Sequence, residues 1–105
     1  MVTAVIEQGD LLKVSGINYP VMVVSCNYFN TTGKAIVCPI VKSAEEGPLH
    51  ITIKTTQLEG YVLCEQVRYL DLSTRHFSKF GSAQYYDIMD ISDAVMGMFD
   101  YQQNA

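Results

Sequence analysis

The chain has no tryptophan and few basic residues. Nowhere does an apolar run approach the roughly 18 residues that a membrane span needs. The first ten residues, MVTAVIEQGD, lack the basic start and apolar stretch of a signal peptide. A cytoplasmic protein without a membrane partner is the expectation. Only seven Lys and Arg stand against eleven Asp and Glu, for a formal net charge of −4. The basic residues are also dispersed. Neutralising phosphates takes clustered cations, so any nucleic-acid surface must be small and local. The three cysteines, Cys26, Cys38 and Cys64, are an odd number with no C-x-x-C spacing. This argues against a disulfide framework and a zinc site, and the cysteines read as buried small hydrophobes. Also missing are a Gly-rich phosphate loop, H-E-x-x-H and G-x-S-x-G. No cofactor and no metal are expected. His50 and His76 stand alone and read as strand or surface residues.

What is present is enough for one globular domain spanning 1–105. Of the 105 residues, 49% are hydrophobic and 17% charged, which sets the chain apart from disordered segments. The first two thirds read as β. Asp10 to Val14 is a short strand, followed by a tight connection into the apolar run Val21 to Val24. Asn27 to Gly33, NYFNTTG, is rich in turn formers. Ala35 to Val41 is a third strand, and its Pro39 predicts an edge or a bulge. Leu49 to Lys54 alternates apolar with polar, as a strand with one wet face does. His76 to Phe80 is a last candidate strand.

The period then changes. From Ser82, a fair N-cap, Tyr85, Ile88, Ile91, Val95 and Phe99 recur every three to four residues, which predicts an amphipathic helix packed on the sheet. Met89, Met96 and Met98 thicken its apolar side. Asp87, Asp90 and Asp93 lie on one solvated face; rigid helical carboxylates without loop oxygens make poor calcium ligands. The fold class is mainly β: a small, strongly bent antiparallel sheet or barrel capped by a C-terminal helix.

The stretch GYVLCEQVRYLD, residues 60–71, breaks its own pattern. Tyr61 to Cys64 is an apolar strand, but Glu65, Gln66 and Arg68 follow where a core strand would stay apolar. These groups either hold a corner of the fold together, with Glu65 and Arg68 paired, or they face a cleft.

The order of segments resembles the MazF/PemK (Kid) family, the toxin components of bacterial type II toxin–antitoxin pairs. The match is carried by Gln8-Gly9-Asp10-Leu11 and by Tyr19-Pro20-Val21-Met22-Val23-Val24-Ser25. It continues in Asn27-Tyr28-Phe29-Asn30 with Gly33, in Val37-Cys38-Pro39-Ile40, and in the segment from Gly60 to Asp71. The resemblance implies an SH3-like barrel with a C-terminal helix, a homodimer, metal-independent cleavage of single-stranded RNA, and an antitoxin whose flexible acidic segment covers the RNA groove. It implies Glu65 as general base; with the family's own arginines absent, Arg68 is the candidate for the cation on the developing phosphorane charge. Tyr19, Ser25, Lys42, Ser43 and Gln66 are the candidate substrate-contacting positions.

The sequence departs from the family pattern at several of its polar positions. Tyr19 stands where the family has arginine before proline. Val41 replaces a threonine, and Leu63 an arginine found in some members. The first loop is reduced to Ser15-Gly16-Ile17-Asn18. One lost preorganised charge commonly costs on the order of 10²–10³ in rate. Lys42 and Ser43, or Lys13 and Arg68 on strands expected to be neighbours, are the substitutes at hand. An endoribonuclease with a relocated site is therefore one expectation. A non-catalytic relative that keeps the dimer and the antitoxin groove is another, and a same-fold toxin acting on a protein such as gyrase is a third.

Overall fold

The structure is a computed structural model that describes residues 5 to 101. The first four residues of the segment read for a leader lie outside that range. Seven strands are described: β1 (Asp10–Val14), β2 (Val21–Val23), β3 (Lys34–Val41), β4 (His50–Lys54), β5 (Glu59–Leu63), β6 (Arg68–Asp71) and β7 (Phe77–Ser82). Two helices join them, α1 (Asn27–Asn30) and α2 (Tyr85–Gly97). The strands run in the order β4-β5-β3-β2-β1-β7, with β6 also on β3, and all pairings are antiparallel. No ladder joins β4 to β7. The sheet is therefore open, and the expected barrel closure is not made.

Strand β3 organises the sheet. One of its edges pairs with β2; the other serves β6 along Lys34–Val37 and β5 along Ile40–Val41. Pro39 sits at this change of partners rather than at an edge strand. The amide of Ile40 donates to Pro20 O at 2.9 Å, towards β2. Successive residues alternate sides, so the nitrogen of Pro39 faces the gap between β6 and β5. No ladder bond is lost there, which is why a proline is accommodated mid-strand.

The sheet buries apolar residues on both faces. One core holds Leu11, Met22, Cys38, Ile40, Ile53, Val62 and Ile91; the other holds Leu12, Val14, Val21, Val23, Val37 and Leu70. Near-continuous apolar runs such as Val21–Val24 are the sequence form of a strand covered on both faces. Helix α2 belongs to the first core through Ile91, with Ile88, Ala94 and Val95 packed beside it.

Three expectations about individual residues change. Ser82 ends β7 opposite Asp10 instead of capping α2; the N-cap is Gln84, without a side-chain cap bond. The apolar stripe of α2 reaches the sheet only at its centre, for Tyr85, Met89, Met96 and Phe99 are exposed. Cys38 and Cys64 are buried but Cys26 is exposed at the start of α1, and the turn-rich Asn27 to Gly33 contains that short helix.

Candidate functional site

The β4–β5 hairpin fixes the site. Thr55 Oγ1 accepts from the amides of Gln57 and Leu58, both at 3.1 Å, and closes a tight turn. The register follows: Lys54 faces Glu59, Thr52 faces Tyr61 and His50 faces Leu63. After Leu63 the chain leaves β5 in a turn, with Gln66 N bonded to Leu63 O at 3.1 Å. That turn sets Glu65 one diagonal step from His50, a separation side chains bridge readily. His50 Nε2 lies 2.6 Å from Glu65 Oε1, and Nδ1 bonds the backbone carbonyl of Glu45. Glu65 is paired with His50 and not with Arg68.

Each partner shifts the other's proton affinity. His50 is raised above its ordinary value, first by the Glu45 carbonyl and then by the Glu65 carboxylate. Partial desolvation pushes Glu65 upward, but the hydrogen bond and charge of His50 outweigh it, and the net direction is down. Glu65 is thus an ionised, oriented carboxylate at neutral pH.

Strand β6 begins three residues later. Its first residue, Arg68, pairs with Val37. Arg68, Gln66 and Tyr19 surround a small pocket of about 220 Å³ whose floor is Val21, Val37 and Pro39. Three of the expected site residues are thereby brought together from two segments distant in sequence, Tyr19 before β2 and Gln66 with Arg68 at the entry to β6. Tyr19, standing where the family has arginine, opens onto the same pocket as Arg68.

The remaining candidates lie elsewhere. Lys42 lines a separate, larger cleft of about 1200 Å³ with Thr52, Lys54, Tyr61, Glu59 and Asp87. Ser43 is exposed in the loop after β3. Ser25 is engaged in the framework: its hydroxyl bonds Asn30 Oδ1 and accepts from Ile36 N at 2.9 Å, while Asn30 Nδ2 donates to Ser25 O at 3.0 Å. Lys13 sits on β1 over the Phe80 ring, 5.5 Å from its centroid. Strand β1 pairs with β2 and β7, so Lys13 and Arg68 are not on neighbouring strands.

His50 lies on β4, as its strand reading has it; its contact with Glu65 is what the sequence did not show. The signal was the T-x-x-L turn at 55–58, which sets the hairpin register and with it the approach of His50 to Glu65.

An open antiparallel sheet with one terminal helix, and an acid–base pair next to an arginine-bearing pocket, defines a small β-domain with its polar chemistry at one strand corner. The family model for PemK-like, MazF-like toxins of type II toxin–antitoxin systems matches residues 13–99, and the chain belongs to that family. Among solved structures it is similar to a chain of the MazE–MazF crystal structure (Form-I) from Deinococcus radiodurans, with a TM-score of 0.82 at 22% identity, covering 91% of this chain and 97% of that one. An endoribonuclease in complex with its cognate antitoxin from a mycobacterial species gives 0.78 at 16% identity, covering 92% and 99%. The Mycobacterium tuberculosis toxin MazF-mt6 gives 0.68 at 11%, covering 89% and 99%. At these identities the likeness is one of fold. No curated protein matches the sequence.

Proposed function

We propose that this protein is an endoribonuclease toxin that cleaves single-stranded RNA without metal, works as a homodimer in the cytoplasm, and is silenced by a cognate antitoxin. The observation that carries the reading is the ionised Glu65, held by His50 in the turn that leads directly into the Tyr19–Gln66–Arg68 pocket. Family membership supports the toxin role. The solved endoribonuclease–antitoxin and MazE–MazF complexes of like fold support an antitoxin partner.

The chemistry follows from the parts. Glu65 takes the proton of a 2′-hydroxyl. The 2′-oxygen forms a bond to the adjacent phosphorus as the P–O5′ bond breaks, leaving a 2′,3′-cyclic phosphate and a 5′-hydroxyl protonated from solvent. Arg68 sits on the charge that builds on the phosphorane oxygens. Tyr19 offers a ring on which a base can stack, and Gln66 a donor and acceptor for a base edge. In this reading Lys42, in its separate cleft, meets another phosphate of the same RNA.

Induced expression in a bacterial host tests the biological reading. Growth arrest that Glu65→Gln and Arg68→Ala each relieve, at equal protein levels, is the expected outcome. Normal growth on expression of the wild-type chain, with no antitoxin present, contradicts it.

A further inference from the structure

The ring of His50 is held between two groups of fixed hydrogen-bonding character. A backbone carbonyl can only accept, and so can an ionised carboxylate. Nδ1 faces the carbonyl of Glu45 and Nε2 faces Glu65 Oε1. Holding both at once takes a donor on each ring nitrogen, which only the imidazolium provides. We propose that His50 is the positioning residue of the catalytic carboxylate, a two-ended clamp anchored through Nδ1 on the loop after β3 that holds Glu65 Oε1 through Nε2 and leaves Oε2 to take the substrate proton. The catalytic part of this inference rests on the ribonuclease reading above; the clamp itself does not.

The neutral ring cannot do both jobs. With its one proton on Nδ1, it turns a lone pair on Nε2 towards the carboxylate, and the pair opens. With its proton on Nε2, it releases the loop. Loss of one proton from His50 therefore frees either Glu65 or the segment around Glu45. The titratable groups that face the pair come from three places. Glu45 approaches from the loop, Cys64 adjoins Glu65 in the turn, and Cys38 lies behind it on β3. Burial pushes Cys38 up to about 12 and Cys64 up to about 11, so both stay neutral thiols and leave His50 as the group that switches. The loop is tied to β4 by the Gly47–His50 bridge and the bond from His50 N to Gly47 O at 3.1 Å, so His50 holds it by backbone and side chain alike.

Two readouts on the full chain test this. The first is ¹⁵N NMR of the imidazole nitrogens across pH in wild type and Glu65→Gln. Both nitrogens protonated on the acid side of a single transition, with a midpoint above 6.5 in wild type that falls in Glu65→Gln, is the expected result. A single-proton ring at mildly acidic pH overturns the clamp. The second is the pH profile of kcat and KM on a single-stranded RNA oligonucleotide in EDTA. His50→Ala should lower kcat on the order of 10-fold to 10²-fold with little change in KM. Wild-type kcat should fall as pH rises through the His50 transition; His50→Gln, which keeps one donor and no charge, should recover part of kcat and lose that fall. Unchanged kcat and an unchanged profile in His50→Ala overturn the positioning role. No cleavage by wild type would overturn the ribonuclease reading with its catalytic part, while the NMR result still decides the clamp.

Discussion

Lys79 Nζ lies 2.8 Å from Asp10 Oδ1, and the Asp10 side chain is only 3% exposed. The same carboxylate accepts the amide of Glu7 at 2.8 Å. The pair ties β7 to the first residue of β1, across the register shift that this ladder makes between Leu11 and Leu12. The hydrogen bond to Asp10 is the main reason Lys79 is held above its ordinary value. Lys79→Met keeps the stem but leaves a buried carboxylate short of one partner. It should destabilise the fold by about 1–3 kcal/mol, read as a lower urea midpoint at unchanged m-value.

Ser25 distinguishes framework from site. Its hydroxyl and carbonyl satisfy Asn30, which is buried, and its hydroxyl serves Ile36 N. Ser25→Ala keeps the carbonyl but leaves Asn30 Oδ1 and Ile36 N without their hydroxyl partner, and should cost about 1–3 kcal/mol of stability. RNA cleavage per folded molecule should be unchanged. A selective loss of activity at full stability would instead restore the substrate-contacting role.

Gly9 has φ +94°, and a Cβ there would lie 2.4 Å from Ile88 Cδ1 on α2. Ile88 can rotate away, but the backbone strain stays. Gly9→Ala should destabilise by about 1–2 kcal/mol. Gly9→Ala with Ile88→Ala should relieve the clash and not the strain. A double-mutant cycle in thermal unfolding separates the two.

The His50–Glu65 pair sets a pH dependence of stability with a definite sign. His50 is raised in the folded state, so its contribution is complete below the ordinary value of 6.5 and is lost as pH rises through the folded value. Glu65 is lowered, so its contribution is complete above 4.5 and is lost as pH falls through the folded value. The pair therefore contributes most between those values. It is partly exposed, so the effect is small and screened by salt. Chemical denaturation of wild type and of His50→Gln should differ more near pH 5.5 than near pH 9.

Strands and helix were legible because their signals are local. Alternation at Leu49–Lys54, the apolar run at Val21–Val24 and the change of period after Ser82 each appear in the described elements. Pro39 was misread because a proline's cost depends on which edge its nitrogen faces, and that is fixed by partners distant in sequence. Ser82 was misread because its strand pairing with Asp10 outcompetes a local cap. The pocket of Tyr19, Gln66 and Arg68 was anticipated only as a set of names; its assembly depends on β2, β3 and β6 meeting. His50 escaped because a lone histidine carries no pattern until the hairpin register sets it beside Glu65.

The most direct test is RNA cleavage by the purified protein. A long RNA with structured and unstructured regions would be incubated in excess EDTA with wild type, Glu65→Gln and Arg68→Ala, each shown to be folded. The account predicts fragments at defined single-stranded sites, ending in 2′,3′-cyclic phosphate, that vanish with either substitution. Intact RNA with folded wild-type protein at high concentration, or equal cleavage by all three proteins, would contradict it.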